Sequence, residues 1–142
     1  MSSPIIVEQK VEASVDEVWE ALTDKEKMKS WYFDISDFEL EPEKQFNFYE
    51  PGDEKKYHHH GHILDFRINE KLKHTWSYPG FSDAETIVTW ELHPKEGGTV
   101  IKLTHEYVDR FKDLGEGFSE ENFTEGWNVI IRQSLKSYVE NK

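Results

Sequence analysis

The sequence predicts an α+β fold in which a seven-stranded antiparallel sheet wraps around a long C-terminal helix, with two short helices after the first strand. Three observations predict it. Ile5, Val7, Gln9, Val11 and Ala13 share one face of an alternating segment, ahead of a helix-start pattern. Six further alternating segments, separated by short turns, run from Asp37 to about Val108. After Ser119, apolar residues recur at three- and four-residue steps.

The first strand is IIVEQKVEAS. In SVDEVWEALTD, Ser14 and Glu17 form a capping-box pair, each satisfying an N–H of the helix start. Val15, Val18, Trp19 and Leu22 follow at helical spacing, and Asp24 caps a second short helix, DKEKMKSWY. The alternating segments are DFELEP, KQFNFYE, YHHHGHILDF, LKHTWSY, ETIVTWEL and VIKLTHEYV. Connections fall at Pro51–Asp53, Asn69–Glu70, Pro79–Gly80 and Gly97–Gly98. A loop with Gly115 and Gly117 leads to the last element, with Ser119 as its N-cap. There Phe123, Trp127, Ile130, Ile131, Leu135 and Tyr138 form the apolar stripe. From Glu120 to Glu140 this helix would reach roughly 30 Å at about 1.5 Å per residue, enough to cross a twisted sheet. An antiparallel sheet commonly has one dry face, and this helix is its cover. A curved sheet gripping a helix often leaves a cavity between the two.

A length of 142 residues suits one domain with one core. Hydrophobic residues make up 36%, yet 14% are aromatic, and each buried aromatic covers roughly 150–250 Å². A net charge of −12 argues against nucleic acid or an anionic membrane as partner, since both need a basic surface. There is no cysteine, hence no disulfide and no thiol chemistry, which is compatible with a reducing cytoplasm. The opening MSSPIIVEQK lacks the cationic and apolar regions of a signal peptide. No apolar run reaches the roughly 18 residues of a membrane span.

Four segments carry a resemblance. VEASVDEVWEALTDKEKMKSW is similar to an opening strand followed by a P/S-x-x-x-V-W-x-A-L-T-D helix. Gly61, Ile63, Leu72, Thr75 and Trp76 in GHILDFRINEKLKHTW are similar to a paired-strand signature, and GGTVIKLTHEYV to a G-T-x-x-x-L-T-H strand. Gly126–Trp127 is similar to a G-W pair early in the last helix. Together, from about Ile5 to Val139, they resemble the START-like, helix-grip superfamily, and within it the activator of heat-shock-protein-90 ATPase homologue family. The resemblance implies seven strands around a C-terminal helix, often with a hydrophobic pocket. One departure precedes the third strand, where the family has glycines and this chain has EPEKQF, with Glu43 and Lys44. It bears on the turn, not on the fold.

Strand alternation assigns the faces. Ile101, Leu103, His105 and Tyr107 oppose Lys102, Thr104 and Glu106, so His105 and Tyr107 point inward. Leu72, His74, Trp76 and Tyr78 oppose Lys73, Thr75 and Ser77, so His74 also points inward. Thr86, Val88, Trp90 and Leu92 oppose Glu85 and Glu91, and Phe38, Leu40, Phe46 and Phe48 also face in. An aromatic interior with a few polar groups is how a small-molecule pocket is usually built. The candidate ligand-binding residues are His74, Trp76, Tyr78, Trp90, His105, Tyr107, Phe123, Trp127 and Ile131. No catalytic residue is assigned.

The run HHHGH, His58 to His62, is internal and broken by Gly61, which argues against a tag. On a strand His58, His60 and His62 share a face, and His59 opposes them. Residues i and i+4 lie about 13–14 Å apart, so three such side chains cannot converge on an ion whose bonds are about 2 Å. No structural metal or cofactor is expected. Two inner pairs fit the alternation, Ile63/Asp65 or Leu64/Phe66, and Gly61 is a candidate bulge. Glu39, Glu41, Glu43, Asp53 and Glu54 read as a solvated surface.

Three functions fit. The first is non-enzymatic binding of a small hydrophobic or aromatic ligand between sheet and helix. The second, implied by the resemblance, is a co-chaperone module with a chaperone protein as partner; the expected single domain, with none before Ile5, counts against it. The third is a cyclase- or hydrolase-like enzyme on a bound aromatic or polyketide substrate; no paired acid and base appears at a readable spacing. A monomer or weak dimer is expected.

Overall fold

In a computed structural model, which describes residues 4–32, 35, 37–49, 58–114 and 118–140, the expected capping box opens the first helix. Ser14 Oγ accepts from the Glu17 N–H while the Glu17 carboxylate accepts from the Ser14 N–H, and α1 runs Val15–Thr23. Asp24 opens α2 (Lys25–Trp31) by accepting from the N–H groups of Glu26 and Lys27. The Trp31 indole N–H donates to the Ala21 carbonyl at 2.8 Å, which locks the two short helices into a corner.

The strands are β1 (Ile5–Val11), β2 (Gln45–Phe48), β3 (His59–Arg67), β4 (Lys71–Ser77), β5 (Glu85–Lys95) and β6 (Gly98–Glu106), in the sheet order β1-β6-β5-β4-β3-β2. All neighbours are antiparallel. The described residues form six strands, one fewer than the seven expected. DFELEP alternates but makes no ladder. Its backbone turns on itself through Glu41 N–H to the Glu39 carbonyl and Lys44 N–H to the Glu41 carbonyl. Phe38 is buried and Leu40 packs on the core, so the alternation reflects side-chain burial alone. The segment is held to β2 by Asp37, whose carboxylate accepts from the Asn47 N–H and side-chain amide, each at 3.0 Å.

Glu43, at the place where the resemblance implies glycine, has a φ of +65°. Its N–H bonds the Ile63 carbonyl at 3.0 Å, so the turn keeps that geometry despite the side chain. A left-handed L-residue costs roughly 1–2 kcal/mol, and glycine's extra chain entropy takes back roughly 0.5–1 kcal/mol. Glu43→Gly is therefore expected to raise stability by about 0.5 kcal/mol, read as a higher denaturant midpoint; a lower midpoint would contradict the turn.

β3 resolves the ambiguous register through a bulge, placed beyond Gly61 between Ile63 and Asp65. The extra residue lets Ile63 and Phe66 both reach the core while Leu64 is exposed. Gly61 has a different reason: a Cβ there would lie 2.2 Å from Cζ of Phe46, whose ring covers it.

A 3₁₀ helix (Val108–Leu114) follows β6. The C-terminal helix then runs as α3 (Glu120–Asn128), a π-helical stretch (Val129–Leu135) and α4 (Lys136–Glu140). Its buried residues, Trp127, Ile131, Leu135 and Val139, stand four apart. Steps of four overshoot an α-turn of about 3.6 residues and undershoot the wider π-turn. Mixing the two keeps one stripe aimed at the sheet. The turn at Pro51–Asp53, Glu54, and Gly115 and Gly117 lie outside the described residues. No helix among them is long and apolar enough to cross a membrane.

Candidate functional site

The inner face of the sheet and the C-terminal helix meet in an aromatic cluster. β4 supplies His74 and Trp76, β5 Trp90, β6 His105, and α3 Phe123 and Trp127, with Tyr78 just past β4. All but the half-buried Phe123 are buried. The Trp127 ring lies 5.2 Å from Trp76, 5.7 Å from Trp90 and 5.9 Å from His105. Phe123 closes on His105 at 5.3 Å and on Tyr78 at 6.4 Å. Ile131 is fully buried one turn further along. These predicted residues come together, with their rings in mutual contact.

Polar atoms within the cluster are paired. The Trp127 indole N–H donates to His105 Nδ1 at 3.0 Å. His105 Nε2 therefore carries the proton and donates to Thr86 Oγ1 at 2.7 Å, and the Thr86 hydroxyl donates to the Trp76 carbonyl at 2.9 Å. The Trp90 indole N–H donates to His74 Nε2 at 3.2 Å, while His74 Nδ1–H donates to the Thr75 carbonyl at 2.8 Å. The Trp76 indole donates to the Tyr78 hydroxyl at 2.9 Å. Each imidazole thus uses its one donor and one acceptor on the protein. Burial pushes His74 down to about 4 and His105 down to about 3, with the neighbouring His74 a smaller cause for His105. Both are neutral around pH 7.

One sequence assignment is corrected and one open face is settled. Tyr107 does not face in: it is 44% exposed, with φ +69°, and the Arg110 guanidinium lies 4.3 Å over its ring. β6 ends at Glu106, and the left-handed residue that follows breaks the alternation, so Val108 takes the inward place. His59, in contrast, is buried. It stacks on Phe48 at 4.7 Å and meets the edges of Trp76 at 5.4 Å and Tyr78 at 4.9 Å. Alternation already set His59 opposite its neighbours; the sign of that face was the missing information. Phe111 and Phe118, on either side of Gly115 and Gly117 in the chain and not among the predicted residues, also close on Tyr78, at 5.2 and 4.8 Å.

The outer histidines turn to neighbouring side chains: His58 Nε2 pairs with Asn47 Oδ1 at 2.7 Å and His60 Nε2 with Gln45 Oε1 at 2.8 Å. Among the described residues no three His, Asp or Glu side chains group to hold an ion. His59→Ala removes three ring contacts, each worth roughly 0.5–1.5 kcal/mol, so a loss of about 2 kcal/mol is expected. His62→Ala, on the other face, should stay within about 0.5 kcal/mol of the parent. Equal denaturant midpoints for the two variants would refute this placement.

Beside the cluster an apolar cavity of about 20 Å³ is enclosed by residues that include Met28, Tyr32, Ile35, Phe38, His74 and Trp90. That is room for about one water.

Comparisons with known proteins place this geometry among relatives. No curated protein matches the chain. DynU16, a protein from the dynemicin biosynthetic locus, superposes with a TM-score of 0.82 at 23% identity, over 99% of this chain and 48% of its own. The chain thus spans about half the length of DynU16. CalU16 from Micromonospora echinospora follows with a TM-score of 0.73 at 24% identity, over 96% of this chain and 75% of its own. Protein CV1439 from Chromobacterium violaceum gives 0.80 at 17% identity, over 98% and 99%. These likenesses show the helix-grip fold. The family profile of activator of Hsp90 ATPase homolog 1-like proteins matches residues 12–140, so the chain belongs to that family.

Proposed function

We propose that the chain is a non-enzymatic binding module that takes a small hydrophobic or aromatic ligand between the sheet and the C-terminal helix. The observation that carries this reading is the buried, ring-lined aromatic cluster with a small apolar cavity against Trp90 and His74. Enlarging that cavity needs little backbone disruption, because Ile35 and Phe38 line it and Asp37, between them, is tied to β2 through its side chain rather than through a ladder. Catalysis is disfavoured. Both ring nitrogens of His74 and of His105 have protein partners, and among the side chains described, which leave out those of Lys112 and Asp113, no Asp, Glu, Lys or Arg is buried. DynU16 belongs to a biosynthetic locus, which suits a module that holds an aromatic intermediate. The test is a panel of neutral apolar and aromatic compounds read by thermal melting and by the indole N–H resonances. A ligand at a hundred times its Kd adds about 2.7 kcal/mol, a shift of several degrees. A panel without any melting or resonance change would overturn the reading.

A second reading, a module that engages a chaperone, is favoured by the family and by the likeness to the Aha1 dimer from Colwellia psychrerythraea, with a TM-score of 0.73 at 19% identity. Stimulation of a chaperone ATPase by the purified chain would support it; unchanged turnover at saturating chain would refute it.

A further inference from the structure

Trp127 sits between a glycine and a π-helical stretch in the helix that covers the sheet. On its N-terminal side is Gly126, exposed, with nothing within 4 Å of where a Cβ would stand, so packing does not demand glycine there. Glycine inside a helix loosens it. Two residues beyond, the π-helical stretch Val129–Leu135 begins. Such stretches are rare and collect at functional sites. One of its bonds runs from the Lys136 N–H to the Ile131 carbonyl, five residues back. Rewinding it as α-helix takes up a residue and turns α3 by about 100°, which carries Trp127 off the face toward the sheet.

The place Trp127 occupies is shaped for an indole. Its walls are the rings of Trp76, Trp90 and His105, and the indole N–H donates to His105 Nδ1, an acceptor held in that tautomer by Thr86. We infer that Trp127 is a resident stand-in for the ligand: the helix turns it out, and a flat, neutral aromatic molecule with one N–H or O–H donor takes its site, donating to His105 Nδ1. This rests on the binding reading above and names the ligand class. A donor is required because an apolar ring would leave Nδ1 unpaired in a buried site. The ligand is neutral because the rings that surround the site carry no charged partner for it.

The experiment uses the intact, ¹⁵N-labelled chain with indole and with 1-methylindole, which has the same shape and no donor. Indole is expected to move the Trp127 Nε1–H resonance to a solvent-exposed position with rapid hydrogen exchange. The methylated probe is expected to bind at least ten-fold more weakly. Gly126→Ala, which stiffens the helix, should raise the melting temperature and slow indole association. Indole binding with Trp127 unchanged, or equal binding of both probes, would overturn this inference and leave the binding module standing. No binding of either probe up to its solubility would overturn the inference as well. Only silence of the whole compound panel would also remove the module.

Discussion

Replacing Trp127 by Ala is expected to cost about 3–5 kcal/mol, the range for large-to-small changes at aromatic core positions. The indole is 2% exposed and touches Trp76, Trp90 and His105, from three different strands. Its removal opens a void where helix and sheet meet and deprives His105 Nδ1 of its donor. Since whole domains are stable by only about 5–15 kcal/mol, the variant should unfold at much lower denaturant. Trp127→Phe separates the two causes. It keeps most of the apolar volume but not the N–H, so it should lose about 1–3 kcal/mol, the cost of an unpaired buried acceptor. A Trp127→Ala variant within about 1 kcal/mol of the parent would mean that the helix does not depend on this contact.

The second large effect is acid unfolding through His74 and His105. Their ordinary value is 6.5, and in the fold they stand at about 4 and about 3. The unfolded chain therefore binds protons that the folded chain refuses, and stability rises with pH in this window. The contribution is complete above pH 6.5 and is lost as pH falls through it toward the folded values. Each histidine contributes a slope of about 1.4 kcal/mol per pH unit, so the pair gives nearly 3 kcal/mol per unit between about pH 6 and pH 4. Relief of self-repulsion in a chain of net charge −12 acts the other way as its carboxylates protonate. The double variant His74→Gln/His105→Gln isolates the histidine part, because Gln offers both a donor and an acceptor. Its stability should be much flatter in acid. Parallel pH profiles for parent and double variant would refute the assignment.

The order of elements was legible because each local signal agreed with the tertiary outcome. The capping box at Ser14, the Gly97–Gly98 hairpin and the stripe from Phe123 depend only on neighbours in sequence. Inward placement of His74, Trp76, Trp90 and His105 was equally readable, since charged residues mark the opposite face. The misreadings occur where alternation meets something non-local. DFELEP alternates because Phe38 and Leu40 pack on the core, although no strand pairs with it. Tyr107 continues the pattern on paper, but its positive φ depends on where β6 stops. His59 could not be placed because four histidines in five residues give no contrast between faces; only pairing with Phe48 decides it. The π-helical stretch left a trace in the four-residue spacing of Trp127, Ile131, Leu135 and Val139. The network that occupies the imidazoles had no such trace, because Thr86 and Trp127 are 41 residues apart in the chain.

The Asp37–Asn47 contact also bears on self-association. An open sheet ends in strands whose outward amides can template another chain, and long bare edges lead to aggregation. β2 is only four residues long, and its Asn47 N–H is already taken by the Asp37 carboxylate. An incoming strand would have to displace that carboxylate and then find room for a negative charge at the new junction. This border of the sheet is thereby protected against edge-to-edge growth by an acidic side chain.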